Sequence, residues 1–569
     1  MSMAPAPVPV PIAAVELDDI QGLVRFGYKY HTQSCFLLLR VKDPSAARAW
    51  LASAPVSSAA TTASPPPTVL QLALSSEGLR ALGVAGDIVE AFSADFVSGM
   101  GGAPSRSRRL GDLGANAPDR WQWGTGARLP HVLLLLYALP GRLDEWQRQI
   151  EAQCAAGFDT LARLPCGDRL GFEPFGFVDG LSQPQPDWSR ERPALDAERP
   201  DYDNLTCLGE FLLGYPNEYG GYTDRPLLAP ERDAGSLLPR AEDAPELADL
   251  GRNGSYLVLR QLQQDVRGFW QYLDRQAGGD PALREKLAAA LVGRTLQGVP
   301  LGACRAWSAE SENRPQRAQF LPDLQPNSRA IGQKDGEKWA AAVDLQPAIS
   351  KSDRLLEPLD QAAPPAADAA PDLNAFDYQA DPRGTRCPLG AHVRRANPRS
   401  ADLPPGEAGL LSWIKRTLGF DAQARGLDLV ASTRFHRLLR RGRAYGDAVP
   451  PAQALTQALA AASDGADTGL HFICLGASIA RQFEFVQAAW LNSTHFNGLQ
   501  NESDPLLGTR LPMPDGQATD GFSMPQAQGA DQKLAGLPQF VTVRGGAYFF
   551  LPGIRALRYL AGAAQGGSP

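Results

Sequence analysis

Four short runs of unbroken apolar residues constrain this chain most: CFLLLRV (Cys35–Val41), HVLLLLYA (His131–Ala138), YLVLRQL (Tyr256–Leu262) and GLHFICL (Gly469–Leu475). Each has the length of a buried strand. Even the longest, such as Val132–Leu139, is half of what a membrane helix needs. Further strands are expected at Val69–Ala73, Phe540–Val543 and Ala547–Leu551, the last two meeting at Gly545-Gly546. Helices are expected at Pro44–Ala52, Ser76–Leu82, Arg142–Ala155, Gln264–Ala277, Pro281–Val292 and Ile479–Leu491. Strands are few and far apart, and no glycine-rich turn follows any of them. An α+β layer is therefore favoured over a nucleotide-binding doubly wound sheet. The order strand–helix–strand recurs in both halves and points to two similar lobes.

The 569 residues are 44% hydrophobic and 21% charged, enough for a large core. A net charge of −7 argues against a nucleic-acid partner, although Arg434–Arg443 is locally basic. The seven cysteines include no CxxC pair, so a zinc or iron–sulfur site has no support, and an odd count suits a reducing compartment. The opening MSMAPAPVPVPIAA has prolines at 5, 7, 9 and 11 and no basic start, so residues 1–15 are expected to be a disordered leader. A soluble, cytoplasmic protein without a membrane partner is expected. Asp187–Pro230 reads as loop, and the polar, proline-rich stretch Gly302–Pro371 as an insertion.

Six histidines are present, with no HxH or HExxH arrangement, which disfavours a multi-histidine metal site. His131 opens a strand and reads as structural. His31 and His495 sit among loop residues. Strand alternation puts His471 on the face opposite Leu470 and Phe472. His392 stands apart, in TRCPLGAHVRRANPR, where Pro388 and Gly390 set a turn and Arg394, Arg395 and Arg399 follow. One imidazole suffices to hold a haem iron, and arginines suit the two propionates. The competing reading is a surface or salt-bridge histidine. In GFEPFGFVDGLSQP (Gly171–Pro184), Asp179-Gly180 is either a type I′ turn or a carboxylate held over a pocket as a proton shuttle. HRLLRRGRAYG (His436–Gly446) is either a basic helix end or a means of delivering one arginine to a pocket.

Together these three segments resemble the dye-decolourising (DyP-type) haem peroxidases. GFVDG is similar to that family's GxxDG motif, CPLGAHVRRANPR to its proximal-histidine segment, and RRGRAYG to the segment with its distal arginine. DDIQG (Asp18–Gly22), GSYLVLRQLQQDV (Gly254–Val266), GRTLQGVPL (Gly293–Leu301), NAFDY (Asn374–Tyr378), RQFEFVQAAW (Arg481–Trp490), DPLLG (Asp504–Gly508) and VRGGAYFFLP (Val543–Pro552) follow the family in the expected order.

The resemblance implies two ferredoxin-like α+β lobes of the dimeric α+β barrel type, 16–200 and 201–560, with haem b (iron protoporphyrin IX) held mainly by the second. It implies His392 as axial ligand, Asp179 as proton shuttle, and Arg440 as the distal charge, or Arg441 if the register is off by one. Leu470 and Phe472 would cover the distal face, Asp504 would take a hydrogen bond from the free ring nitrogen of His392, and Arg399 would pair with a propionate. The implied activity is reduction of hydrogen peroxide with one-electron oxidation of small aromatic donors such as dyes and phenolics, through a ferryl intermediate. A carboxylate suits this chemistry, since it stays deprotonated in mild acid where an imidazole base is protonated. The alternative is a haem carrier or sensor with little turnover. The sequence departs from the family in the long Gly302–Pro371 stretch, in an apparent extra helix at Gly409–Leu418, and in Gly442, where some members have asparagine.

Overall fold

The computed structural model describes residues 14–562, except 63, 168–170, 192–203, 234, 305–372, 375, 379, 400–431 and 457–466. The expected leader up to residue 13, nearly all of the 302–371 insertion and the 409–418 helix lie outside the described residues. No described helix is long and apolar enough to cross a membrane.

The apolar runs become the centre of one nine-stranded antiparallel sheet. The first half supplies β1 (Gln33–Val41), β2 (Thr68–Leu74), β3 (Val132–Ala138) and β4 (Phe158–Cys166). The second supplies β5 (Ser255–Gln264), β6 (Leu439–Arg440), β7 (Arg443–Tyr445), β8 (Gly469–Gly476) and β9 (Val541–Leu551). The order across the sheet is β6–β8–β5–β9–β2–β3–β1–β4, with β7 also on β8. Counting β6 and β7, which both pair with β8, as one strand, each half thus runs second, third, first, fourth, and the halves join where Phe550 of β9 pairs with Leu74 of β2. The far edges approach as well, since the Gly167 N–H donates to the Ala444 carbonyl at 2.8 Å.

This curling explains why the central strands carry apolar residues on both faces, because both faces are buried. One face gathers Phe36, Leu38, Leu133, Leu135, Leu257, Leu259, Ile473 and Phe549 from both halves. The other carries Leu37, Leu70, Leu134, Val258, Cys474 and Phe550 against the helices. Those include α1 (Pro44–Ser53), α2 (Leu143–Cys154), α3 (Val266–Gln276) and α4 (Pro281–Val292). Asp43 and Asp280 cap α1 and α4 with carboxylate–amide bonds, and each of those helices opens on proline.

Three expectations need correction. Phe540–Val543 and Ala547–Leu551 are one strand with a bulge between Val543 and Gly545, not two strands. The bulge admits a neighbour, because a Cβ on Gly545 would come within 2.5 Å of the Trp123 ring. The Trp123 indole in turn donates to Gln261 at 2.7 Å. Ile479–Leu491 forms π-helical turns, Ala480–Glu484 and Val486–Leu491, closed by bonds such as Glu484 N–H to the Ile479 carbonyl. HRLLRRGRAYG is not a helix end but the two short strands β6 and β7. Strand β4 was not expected, since as an edge it mixes exposed and buried positions.

Gly545→Ala should therefore destabilise the chain by about 1–3 kcal/mol, the usual cost of overpacking. Gly86→Ala, whose Cβ would meet nothing within 4 Å, should not. Urea unfolding of the two variants checks the contrast.

Candidate active site

His392 is the first residue of the short helix α5 (His392–Ala396), presented by the turn through Pro388 and Gly390. Its Nδ1 lies 3.0 Å from Oδ2 of Asp504. Asp504 is fully buried, and its Oδ1 accepts the N–H groups of Leu506 and Leu507 at 2.9 and 2.8 Å. Burial alone would raise its pKa. The facing imidazole, Arg395 and the Leu507 amide outweigh burial and hold it below the ordinary carboxylate range. The imidazole is about a quarter exposed, and among the described residues its Nε2 has no hydrogen-bond partner. One nitrogen is fixed by a buried carboxylate and the other is left for a ligand.

The arginines after His392 anchor the protein rather than face outward. Arg394 donates to the carboxylate and carbonyl of Asp381 and to the Cys387 carbonyl. Arg395 donates to the carbonyls of Trp490 and Ser493, so α5 is tied to the segment that leads to Asp504. Arg399 lies over the Phe376 ring and donates to the carbonyls of Asn374 and Phe376, to Asn374 Oδ1, and to the Ser182 hydroxyl at 2.7 Å.

Ser182 is where the separate motifs meet. It lies three residues beyond Asp179, its hydroxyl donates to Asn374, and its carbonyl accepts Nη2 of Arg440 at 2.7 Å. The next side chain, Gln183, accepts the Arg440 N–H at 3.0 Å. Arg440 pairs with Cys474 in β8, and residues paired across strands share a face. Its side chain therefore stands on the sheet face of Leu470 and Phe472, which pack toward the helical core. Arg441 turns the other way and donates to the carbonyls of Leu23 and Val24. His471 points into the other face, beside Phe36 and stacked on Tyr445, as strand alternation requires. Burial lowers its pKa to about 4. Gly442 fits closely here, since a Cβ would come 2.7 Å from the His471 carbonyl.

Asp179 is exposed. Its N–H donates to the Gly171 carbonyl at 2.8 Å and its Oδ1 accepts the Gly180 N–H at 2.6 Å. The type I′ reading fails, because that turn needs positive φ at both central residues and only Gly180, at +73°, has it. Ser182, Gln183, Asn374 and Glu173 were not singled out from the sequence. All four lie inside GFEPFGFVDGLSQP or NAFDY, the segments quoted for the motif aspartate and for the resemblance. Among the described residues no group of three or more His, Cys, Asp or Glu side chains could hold a metal ion.

No family model matches the chain. The chain is 26% identical to the dye-decolorizing peroxidase msp1 of Mycetinis scorodonius over 96% of its own length and 88% of the relative. It is also 26% identical to the multifunctional dye peroxidase DyP2 of an Amycolatopsis species, over 86% and 82%. The fold matches a solved dye-decolorizing peroxidase in complex with 2,6-dimethoxyphenol at a TM-score of 0.62, with 22% identity, covering 96% of this chain and 100% of that one. The chain is thus similar to curated dye-decolorizing (DyP-type) peroxidases over nearly its full length and shares their α+β fold.

Proposed function

We propose that this chain is a haem peroxidase that reduces hydrogen peroxide at the expense of small aromatic donors. The observation that carries the reading is His392, pinned through Nδ1 by buried Asp504 while Nε2 has no partner among the described residues. That donor set fits haem, which needs one axial imidazole and gains from a carboxylate behind it. Nε2 of His392 would hold the iron, and Asp504 would fix the ring's orientation and make it more basic. Arg399, beside Ser182, would pair with a propionate.

The two halves of the sheet are read as ferredoxin-like lobes, 16–200 and 201–560. Haem would sit in the second and Asp179 would reach it from the first. Bound haem would supply the metal centre at which the peroxide O–O bond breaks and oxidising equivalents are stored. The chain's own groups do the rest. Asp179 takes the proton from the inner peroxide oxygen and returns it to the outer one, which leaves as water. The Arg440 guanidinium stabilises the negative charge that develops on the leaving oxygen. Leu470 and Phe472 exclude water from the distal side. One peroxide and two donor molecules give two waters and two donor radicals, with one electron and one proton from each donor. Phenolic donors are favoured because a relative with the same fold has been solved with 2,6-dimethoxyphenol.

His392→Ala should abolish stable haem loading, read as loss of the Soret band after purification. Asp179→Asn should keep the haem and slow the reaction with peroxide by roughly 10²–10⁴-fold, the range for losing a general acid–base group. Stopped-flow absorbance measures it, and a wild-type rate would remove Asp179 from the mechanism. Turnover of a phenol or dye by the wild type separates peroxidase from carrier, since a carrier gives none between pH 4 and 7. Arg440→Leu should slow the same peroxide step, whereas Arg441→Leu, which loses bonds to Leu23, Val24 and the Arg440 carbonyl, should cost stability and leave the step intact.

A further inference from the structure

The loop that carries Asp179 closes around a second carboxylate, which the steps above do not use. Glu173 turns its side chain into its own loop. Oε1 accepts the Phe177 N–H at 2.9 Å, and Oε2 accepts the Phe175 N–H at 3.0 Å and the Gln264 amide at 2.9 Å. The backbone closes round the same point, with the Glu173 N–H bonded to the Phe177 carbonyl and the Gly176 N–H to the Glu173 carbonyl, both at 2.9 Å. Phe172 bridges Val178, and the Asp179 N–H closes on Gly171. Two outside anchors fix the loop to the second half of the sheet: Gln264 ends β5, and the Trp270 indole of α3 donates to the Phe175 carbonyl at 3.1 Å. Gly171 and Gly176, at φ +90° and +100°, let the backbone make this tight path.

We propose that Glu173 is the positioning residue of this loop: by bracing the turn from inside and tying it to β5, its carboxyl group fixes where the Asp179 carboxylate stands. The proposal rests on the reading of Asp179 as the proton-transfer group. Without this acceptor the N–H groups of Phe175 and Phe177 would face a pocket with nothing to bond, and the loop would have to open. Asp179 sits two residues beyond Phe177, so its placement follows the brace directly.

The brace also titrates. Burial, opposed by the three N–H donors and reinforced by the negative charge of Asp179, raises the Glu173 carboxyl to about 7. Among the described residues Asp179 is the charged group it faces, and β5 and α3 present only the neutral Gln264 and Trp270. Gln264 suits both protonation states. Its Nε2 donates to the carboxylate, and its Oε1, buried without a partner, can accept the acid proton once the amide turns over. In acid Glu173 is neutral and sets no like charge beside Asp179. The sign for stability follows from a carboxyl raised above its unfolded value. Its contribution is full below the unfolded pKa and is lost as pH rises through about 7.

The test uses the full-length, haem-loaded chain with Glu173→Gln, which keeps the shape but sets an N–H₂ against a backbone or side-chain donor and removes the charge. The expected result has four parts. The Soret band and haem content match wild type. Amide hydrogen exchange from Phe175 to Asp179 speeds up by on the order of tenfold, the equivalent of one hydrogen bond. The peroxide reaction slows by a similar factor. A step near pH 7 in the wild-type rate profile disappears. Unchanged exchange overturns the brace. Faster exchange with an unchanged peroxide rate overturns positioning, and a surviving step near pH 7 overturns the assignment of that step to Glu173. If the variant does not fold, Gln264→Ala weakens the same brace from the sheet side and is judged by the same readouts. Exchange is measured on the protein whether or not it turns over peroxide. A wild type without turnover thus defeats the functional reading by itself, while the brace is still decided by exchange.

Discussion

A buried guanidinium must find acceptors, and in this chain that requirement draws the site together. Arg394, Arg395 and Arg399 are each at most 1% exposed. Leaving such a charge unpaired costs several kcal/mol, more than most single contacts in a fold contribute. The acceptors are carbonyls, hydroxyls and carboxylates from distant segments: Asp381 for Arg394, Trp490 and Ser493 for Arg395, Ser182 and Asn374 for Arg399. Satisfying these cations also sets the distance between the segment that carries His392, the segment that leads to Asp504 and the loop that follows Asp179. Stability and site geometry depend on the same bonds.

Reading the arginines beside His392 as propionate partners does not include this anchoring role, which Arg394 and Arg395 fill through Asp381, Trp490 and Ser493. A sequence shows a charge but not whether it lies at 0% or 50% exposure, and exposure decides whether an arginine meets a ligand or the backbone. Apolar strands were legible because a sheet buried on both faces requires apolar residues on both, a pattern that polar loops cannot imitate. Strand β4 was missed for the converse reason, since its edge position lets FDTLARLPC mix polar and apolar residues. The π-helical turns at Ala480–Leu491 were read as an ordinary helix because one extra residue per turn barely disturbs an apolar periodicity.

The residues of the site were legible to different depths. His392 and Asp504 were paired by resemblance, and the 3.0 Å contact brings them together. Arg440 and Arg441 could not be separated in the sequence. The strand register distinguishes them, because successive residues point to opposite faces and only Arg440 shares a face with Leu470 and Phe472. Glu173 stood inside a quoted motif and was passed over. Its acceptors' geometry depends on Gly171 and Gly176 turning the chain back on itself, and a linear motif does not display which side chain ends up inside its own loop.

The arrangement bears on the proposed role of Asp179, a carboxylate from one half of the chain that would act beside a histidine in the other. The two halves share one sheet, and the Asp179 loop is fastened to the second half twice, at Gln264 and Trp270 on one side and at Arg440 through Ser182 on the other. A loop fixed at both ends to the body that carries its target holds its position without a bond to the target itself. That leaves the Asp179 side chain exposed and, among the described residues, bonded to the next amide. Asp504, by contrast, accepts two amides and faces the imidazole, and the imidazole, Arg395 and the Leu507 amide hold it below the ordinary carboxylate range. The chain thus places two aspartates in opposite surroundings, one buried among donors and one exposed on a turn, and this contrast in hydrogen bonding is what the different tasks proposed for them would require.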